Sequence, residues 1–122
     1  MNTNELRCAL TRDRKIRERF IDVFALDEFK RFVARNTLLH GIYVCNDEVA
    51  EKSGNHWFLI YVEKDFINFV DSFARPPSFY HLTNELYALN KKLNVINRRV
   101  QSLLSDVCGE YSIFFSYHLC RG

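Results

Sequence analysis

The amino-acid sequence predicts a single α+β domain. Three observations carry this. Short runs rich in aromatic and β-branched residues, at 38–45, 56–63 and 66–72, read as paired strands. Segments with helical spacing or helix-compatible composition lie before and after them. Four Gly and two Pro are spread over 122 residues with no linker, repeat or low-complexity stretch, so residues 1–122 form one domain. Hydrophobic residues make up 48% of the chain and include eleven Phe, which is enough to bury a core and argues against disorder.

Residues 3–11 have the pattern of a short helix with Thr3 as its cap. The charged stretch 12–19 fits more than one structure. Residues 20–26 are apolar and suited to packing on the core, and Asp27 caps a short helix through Val33. A buried strand follows at 38–45, then a polar loop from Asn46 to Asn55. The second strand spans 56–63, and a tight turn at Lys64-Asp65 leads into the third at 66–72. Pro76-Pro77 stops the sheet. Ser78 then caps an amphipathic helix carrying Leu82, Leu86, Leu89 and Leu93 at spacings of four, three and four. Residues 94–101 read as a further strand and 102–107 as a loop. The aromatic-rich segment Glu110 to Leu119 reads as a buried helix beginning just after Cys108-Gly109. The expected architecture is a central antiparallel sheet packed on that last helix.

The formal net charge is only +2, so composition demands neither a nucleic-acid nor a membrane partner. Basic residues cluster at 12–19 (Arg12, Arg14, Lys15, Arg17, Arg19) and at Lys91, Lys92, Arg98 and Arg99, but acidic residues interrupt the first cluster and a solvated face explains it. The aromatic residues follow core patterns instead of alternating with basic ones, which ranks a nucleic-acid module last. No apolar run approaches a membrane span and no signal peptide is expected. Cys8, Cys45, Cys108 and Cys120 form no CxxC pair, which excludes a disulfide scaffold and fits a reducing, intracellular compartment. His118 with Cys120, and His40 with Cys45, lack the spacing of a closed zinc site, so no metal or other cofactor is expected. His81 falls on the surface of a predicted helix.

Four reactive residues fall at the edges of these elements. His56 begins one strand and Asp71 ends the next, fifteen positions later. Gln101 ends the last strand. Cys108 follows Gln101 by seven positions and precedes a helix. A cysteine nucleophile needs its thiolate, and a helix N-terminus and a nearby imidazolium both favour that form. A Cys–His pair can exist as thiolate and imidazolium at neutral pH, with an acid fixing the imidazole tautomer. The Gln101 amide and the Cys108 backbone N–H are candidate donors to an oxyanion. Gly109 lets substrate and backbone approach closely. Taken singly, each residue is better explained as core, turn or surface; their joint order is what points to acyl transfer.

That order, His56-Trp57, then Asp71-Ser72-Phe73, then Gln101 and Cys108-Gly109, resembles the adenain family of adenovirus-type cysteine endopeptidases, whose relatives occur in Maverick or Polinton transposons and related viruses. The likeness extends upstream through Leu38 to Asn46 and Phe20 to Asp27, and so covers residues 20–122. The resemblance implies a papain-like fold in permuted chain order. His56 is then the general base, Asp71 its acidic partner, Gln101 an oxyanion donor, Cys108 the nucleophile and Trp57 an aromatic wall beside His56. It implies a monomer that cleaves peptide bonds, often after small residues, during maturation of viral or mobile-element proteins, in a host nucleus or a virion.

Two related readings stand beside it. Proteases that remove ubiquitin-like modifiers share His-Trp, Asp, Gln and Cys-Gly, but usually place Asp directly before the Cys and Gln six positions ahead. Here Val107 precedes Cys108 and Gln101 is seven ahead, which favours the adenain side. A catalytically inactive interaction domain of the same fold is the other reading. Adenovirus enzymes take an activating peptide through a disulfide to a cysteine between the acid and the Gln. Positions 72–100 hold no Cys, so that link has no counterpart, and an activating peptide or DNA rests on the resemblance alone. Family members also commonly continue further past the nucleophile than Gly122.

Overall fold

The computed structural model of the chain describes residues 3–35, 40–47, 56–96 and 108–120, with the side chains of the last segment described at 113 and 115–120. Among these residues the chain runs α1 (Thr3–Arg12), α2 (Arg14–Arg19), β1 (Phe20–Phe24), α3 (Leu26–Arg35), β2 (Gly41–Asn46), β3 (Trp57–Val62) and β4 (Phe66–Val70). A 3₁₀ turn (Pro77–Tyr80), α4 (Thr83–Tyr87), β5 (Lys92–Val95) and α5 (Cys108–Cys120) complete it. The class is α+β, and the five strands form one sheet in sequential order β1-β2-β3-β4-β5.

The expectation of an antiparallel sheet holds for its centre only. β2, β3 and β4 form an antiparallel meander, but β1 pairs with β2 and β4 with β5 in parallel, so the sheet is mixed. The reason lies in the connections. A tight turn joins β3 to β4, whereas α3 bridges β1 to β2 and the 3₁₀ turn with α4 bridges β4 to β5. A bridging helix returns the chain to the same end of the sheet, which makes the pair parallel. Two crossovers of one hand that step the same way across a sheet must cover the same face. Phe29, Phe32 and Val33 of α3 and Leu86 of α4 do pack in one cluster, with Tyr43, Phe58, Ile60 and Phe69.

The other face is covered by α1, α2 and α5. Leu6, Leu10, Ile16 and Cys120 pack there on Val23, Ile42, Val44, Trp57, Leu59, Tyr61 and Val70. The two clusters alternate along β2 and β3, as the period of two requires. Every residue of β2 and β3 is buried, which explains why these strands read as continuous apolar runs.

Local chemistry accounts for the helix starts. Asp13 caps α2, its carboxylate accepting the Ile16 N–H at 3.1 Å, so the charged stretch 12–19 resolves into a helix. α3 starts one residue before the expected cap Asp27, because Glu28 reaches back to accept the Ala25 N–H at 2.9 Å. No helix among the described residues is long and apolar enough to cross a membrane.

The leucine series predicts one helix, and the structure divides it between a short helix and a strand. His81 and Asn90 adopt positive φ (58° and 55°) and break it on both sides of α4. Leu82 and Leu86 are buried around that short helix, whereas Leu93 packs on the same face from β5. A spacing of four satisfies both a helix and a strand, so periodicity alone misassigned Leu93. β5 accordingly starts at Lys92 instead of 94, and residues 97–101 lie outside the described set.

Gly41 opens β2 with φ +152°, and a Cβ there would run into the Arg19 carbonyl oxygen and lie 2.8 Å from Ile21 Cδ1. Backbone on one side cannot yield. Gly41→Ala is expected to lower stability by roughly 2–4 kcal/mol in urea unfolding, through strain and overpacking together.

Candidate functional site

His56 and Asp71 meet at one end of the sheet. β3 and β4 pair Leu59 with Val70, which sets Asp71 across from Phe58 and diagonal to His56 on the same face. His56 Nε2 lies 2.8 Å from Asp71 Oδ1, and the two side chains are 3% and 0% exposed. The fifteen-residue spacing seen in the sequence is therefore the span of one hairpin.

Asp47 continues the β2–β3 pairing past Asn46 and holds the His56 backbone from both sides. Its N–H donates to the His56 carbonyl at 2.9 Å, and its carboxylate accepts the His56 N–H at 3.1 Å. Asp71 sits in a turn that uses its own polar atoms. Its carbonyl accepts the Ala74 N–H and its Oδ1 accepts the Phe73 N–H, each at 2.8 Å. Asp71 Oδ2 accepts a short hydrogen bond from the Tyr80 hydroxyl. Three donors thus converge on one buried carboxylate. Because a carboxylate only accepts, Nε2 carries the proton of a neutral His56, and Nδ1 is the basic nitrogen.

Aromatic rings fix the imidazole plane. Phe73 stacks on His56 at 4.4 Å between centroids and 18° between planes, and Tyr80 lies beyond at 6.5 Å and 13°. Burial pushes the Tyr80 phenol far above its ordinary 10.0; the hydrogen bond and charge of Asp71 add to this, and Arg75 works against it.

The candidate residues fall into three groups. His56 and Asp71 come together. Trp57, the next residue along, points to the opposite face and is buried with the α1 and α5 side chains, so the ring against the imidazole is Phe73. Cys108 and Gly109 are the first residues of α5, but their side chains, like the whole of Gln101, lie outside what the structure describes.

The direction of α5 matters here. Its last residue, Cys120, offers its carbonyl to Arg19 Nη1 at 3.5 Å, and Cys120 lies close enough to Tyr61 to act on its phenol. Arg19 precedes β1, and Tyr61 pairs with Ile42, so this is the end of the sheet opposite His56. α5 packs along β3. Thirteen residues of helix extend about 18 Å, the length of a six-residue strand. The helix therefore runs back toward the His56 end, and its N-terminus points there.

Of the pairs weighed as metal ligands, His40 and His118 are exposed whereas Cys45 and Cys120 are buried in the core. Burial pushes the Cys45 thiol well above its ordinary value. Among the described residues no three of His, Cys, Asp and Glu gather as metal ligands. His81 is exposed, on the turn after Tyr80 and not on a helix. Asp47, Tyr80 and Arg75 were not singled out from the sequence. Phe73 stands beside Asp71 in the sequence motif, and the structure gives it the role of the ring against the imidazole.

No protein-family model matches the chain, and no curated protein does.

Asp71→Ala would strand the His56, Phe73 and Tyr80 donors in a buried site. The expected loss is about 3–5 kcal/mol in denaturant unfolding. The raised Cys45 and Tyr80 groups carry a separate pH signature. The folded chain keeps both protons at pH values where the unfolded chain releases them, so the unfolded state binds fewer. Stability is thus full below the ordinary thiol value of 9.0 and falls as pH rises past it, then more steeply past 10.0. Each group adds a slope of about 1.4 kcal/mol per pH unit. Unfolding midpoints measured from pH 8 to 11 in wild type and Tyr80→Phe check this; the variant is expected to lose part of the slope above pH 10.

Proposed function

We propose that the chain is a cysteine endopeptidase of adenain type, with Cys108 as nucleophile, His56 as general base and Asp71 as the acid that orients it. The observation that carries this reading is the buried His56–Asp71 pair at the sheet end toward which the Cys108 helix runs. A buried carboxylate on a buried imidazole is costly as mere packing, and it suits a base that must hold one tautomer.

The chemistry runs through both ring nitrogens. Asp71 holds Nε2–H, so Nδ1 takes the Cys108 proton. The thiolate attacks the scissile carbonyl carbon, a C–S bond forms, and the carbonyl oxygen takes the negative charge. The Cys108 backbone N–H and the Gln101 amide are the donors this reading assigns to it. The oxyanion collapses, the C–N bond breaks, and the His56 imidazolium gives its proton to the leaving amine. Water then attacks the thioester with His56 again as base, and the C–S bond breaks to release the acid. The fold in this reading is papain-like in permuted order, and the substrates are viral or mobile-element proteins.

The test is alkylation with a thiol-reactive probe at pH 6 and pH 8, read residue by residue on wild type, Cys108→Ala and His56→Ala. Cys108 is expected to react at pH 6 far faster than exposed Cys8, and to lose that advantage in His56→Ala. A Cys108 that reacts no faster than Cys8, with or without DNA and candidate peptides present, would leave an inactive domain of this architecture.

A further inference from the structure

The site contains two more groups that the triad reading does not use. Arg75 lies in the loop after Asp71 with its guanidinium carbon 4.7 Å from the Phe73 ring centre and 4.4 Å from that of Phe79. His56 stacks on Phe73 at 4.4 Å, and one face of a ring cannot hold both an imidazole and a guanidinium at that distance. The order is therefore His56, Phe73, Arg75, Phe79. The Arg75 charge also acts on the Tyr80 hydroxyl, the same hydroxyl that donates to Asp71. Tyr80 in turn is fixed by stacking on Phe58 at 4.1 Å.

We propose that Tyr80 and Arg75 are positioning residues for His56, acting through Asp71: together they hold the carboxylate and set how strongly His56 binds its second proton. The catalytic consequence rests on the reading of Cys108 as nucleophile; the effect on His56 does not. An Asp71 side chain with no exposed surface receives no help from water. Its charge is compensated by donors, and Tyr80 supplies one to the oxygen that His56 does not use. Arg75 polarises that hydroxyl and brings a positive charge to the buried cluster without touching the carboxylate. The ionisable groups facing His56 among the described residues are Asp71 on one side, Tyr80 and Arg75 beyond it, and Asp47 at its backbone.

Both residues act in one direction. The Tyr80 donor disperses the Asp71 charge, which weakens its hold on an imidazolium. The Arg75 cation repels an imidazolium. Removing either raises the proton affinity of His56. A base with too high an affinity stays protonated and serves poorly in the hydrolysis of the thioester, and a carboxylate short of a donor holds the ring less firmly.

The experiment is an NMR titration of the histidine rings in wild type, Tyr80→Phe and Arg75→Gln, run beside Cys108 alkylation. Tyr80→Phe keeps the ring that packs on Phe58, and Arg75→Gln lies in a partly exposed loop, so one backs up the other should either fail to fold. The His56 midpoint is expected to rise in both variants, while Cys108 alkylation at pH 6 does not slow, because a firmer imidazolium favours the thiolate. A His56 midpoint that stays put or falls in both variants overturns the proposal, whatever Cys108 does. A midpoint that rises, in a protein whose Cys108 reactivity is already independent of His56, upholds the network and removes the nucleophile from it.

Discussion

The constraint on which everything else depends is that β2 and β3 are buried on both faces. A strand with no solvent side has no place along its length for a charged or catalytic group, because each would be desolvated without a partner. Helices must then cover both faces, and the polar chemistry is forced to the strand ends. That is where Asp47, His56, Asp71 and Ser72 lie, just past the last apolar residues of β2, β3 and β4. In sheets with parallel pairs, ligands are generally met beyond the carboxyl ends of the strands. Here β1, β2, β4 and β5 all end on the side where β3 begins, so one end of the sheet collects the polar residues of the hairpin.

What was legible in the sequence follows the strength of the local signal. The strands at 41–46 and 57–62 showed because two-sided burial makes short, continuous apolar runs, and the strand at 66–70 because buried Ile67 and Phe69 alternate with less buried neighbours. His56 and Asp71 showed because they are polar residues at the limits of such runs. The parallel edges did not show. β1 is five residues with a register irregularity, and β5 is four residues that are half exposed, so neither carries a clean alternation. Their direction is decided by what α3 and α4 cover, which is a tertiary matter. Leu93 was misplaced for the same reason: a spacing of four fits either element, and His81 and Asn90, which break the helix, do so through positive φ at residues that do not announce it.

The partners of Asp71 were illegible for a different reason. Tyr80 sits in a stretch where an aromatic residue reads as one more packing group, and only the turn from Asp71 through Pro77 brings its hydroxyl back onto the carboxylate. Arg75 reads as a surface cation next to a proline. Nothing in the spacing of 71, 73, 75, 79 and 80 announces a stack, because the segment is neither helix nor strand and has no period to read. Trp57 is the converse case. Adjacency to His56 suggests a shared site, but neighbours in a strand face opposite ways, and its indole belongs to the core beneath α5.

The arrangement around Asp71 also shows why this site is assembled in the way it is. Had the carboxylate met Arg75 directly, the two charges would form a buried ion pair, in which the Coulomb gain competes with the desolvation of both ions. With the Tyr80 hydroxyl on the carboxylate instead, the guanidinium lies against the faces of Phe73 and Phe79, where ring quadrupoles favour a cation and part of its surface still meets water. Only one charge is then fully buried, and it receives three hydrogen bonds. Oδ1 is shared between His56 and the backbone of Phe73, so its position is set by the chain itself as well as by a side chain. Oδ2 is set by Tyr80, whose ring is locked by Phe58. With both oxygens fixed, the carboxylate cannot rotate, and the plane of His56 is fixed by the carboxylate on one edge and Phe73 on one face. The remaining freedom of the imidazole is small, and its Nδ1 edge is directed by structure that lies almost wholly within the β3–β4 hairpin and the turn that follows it.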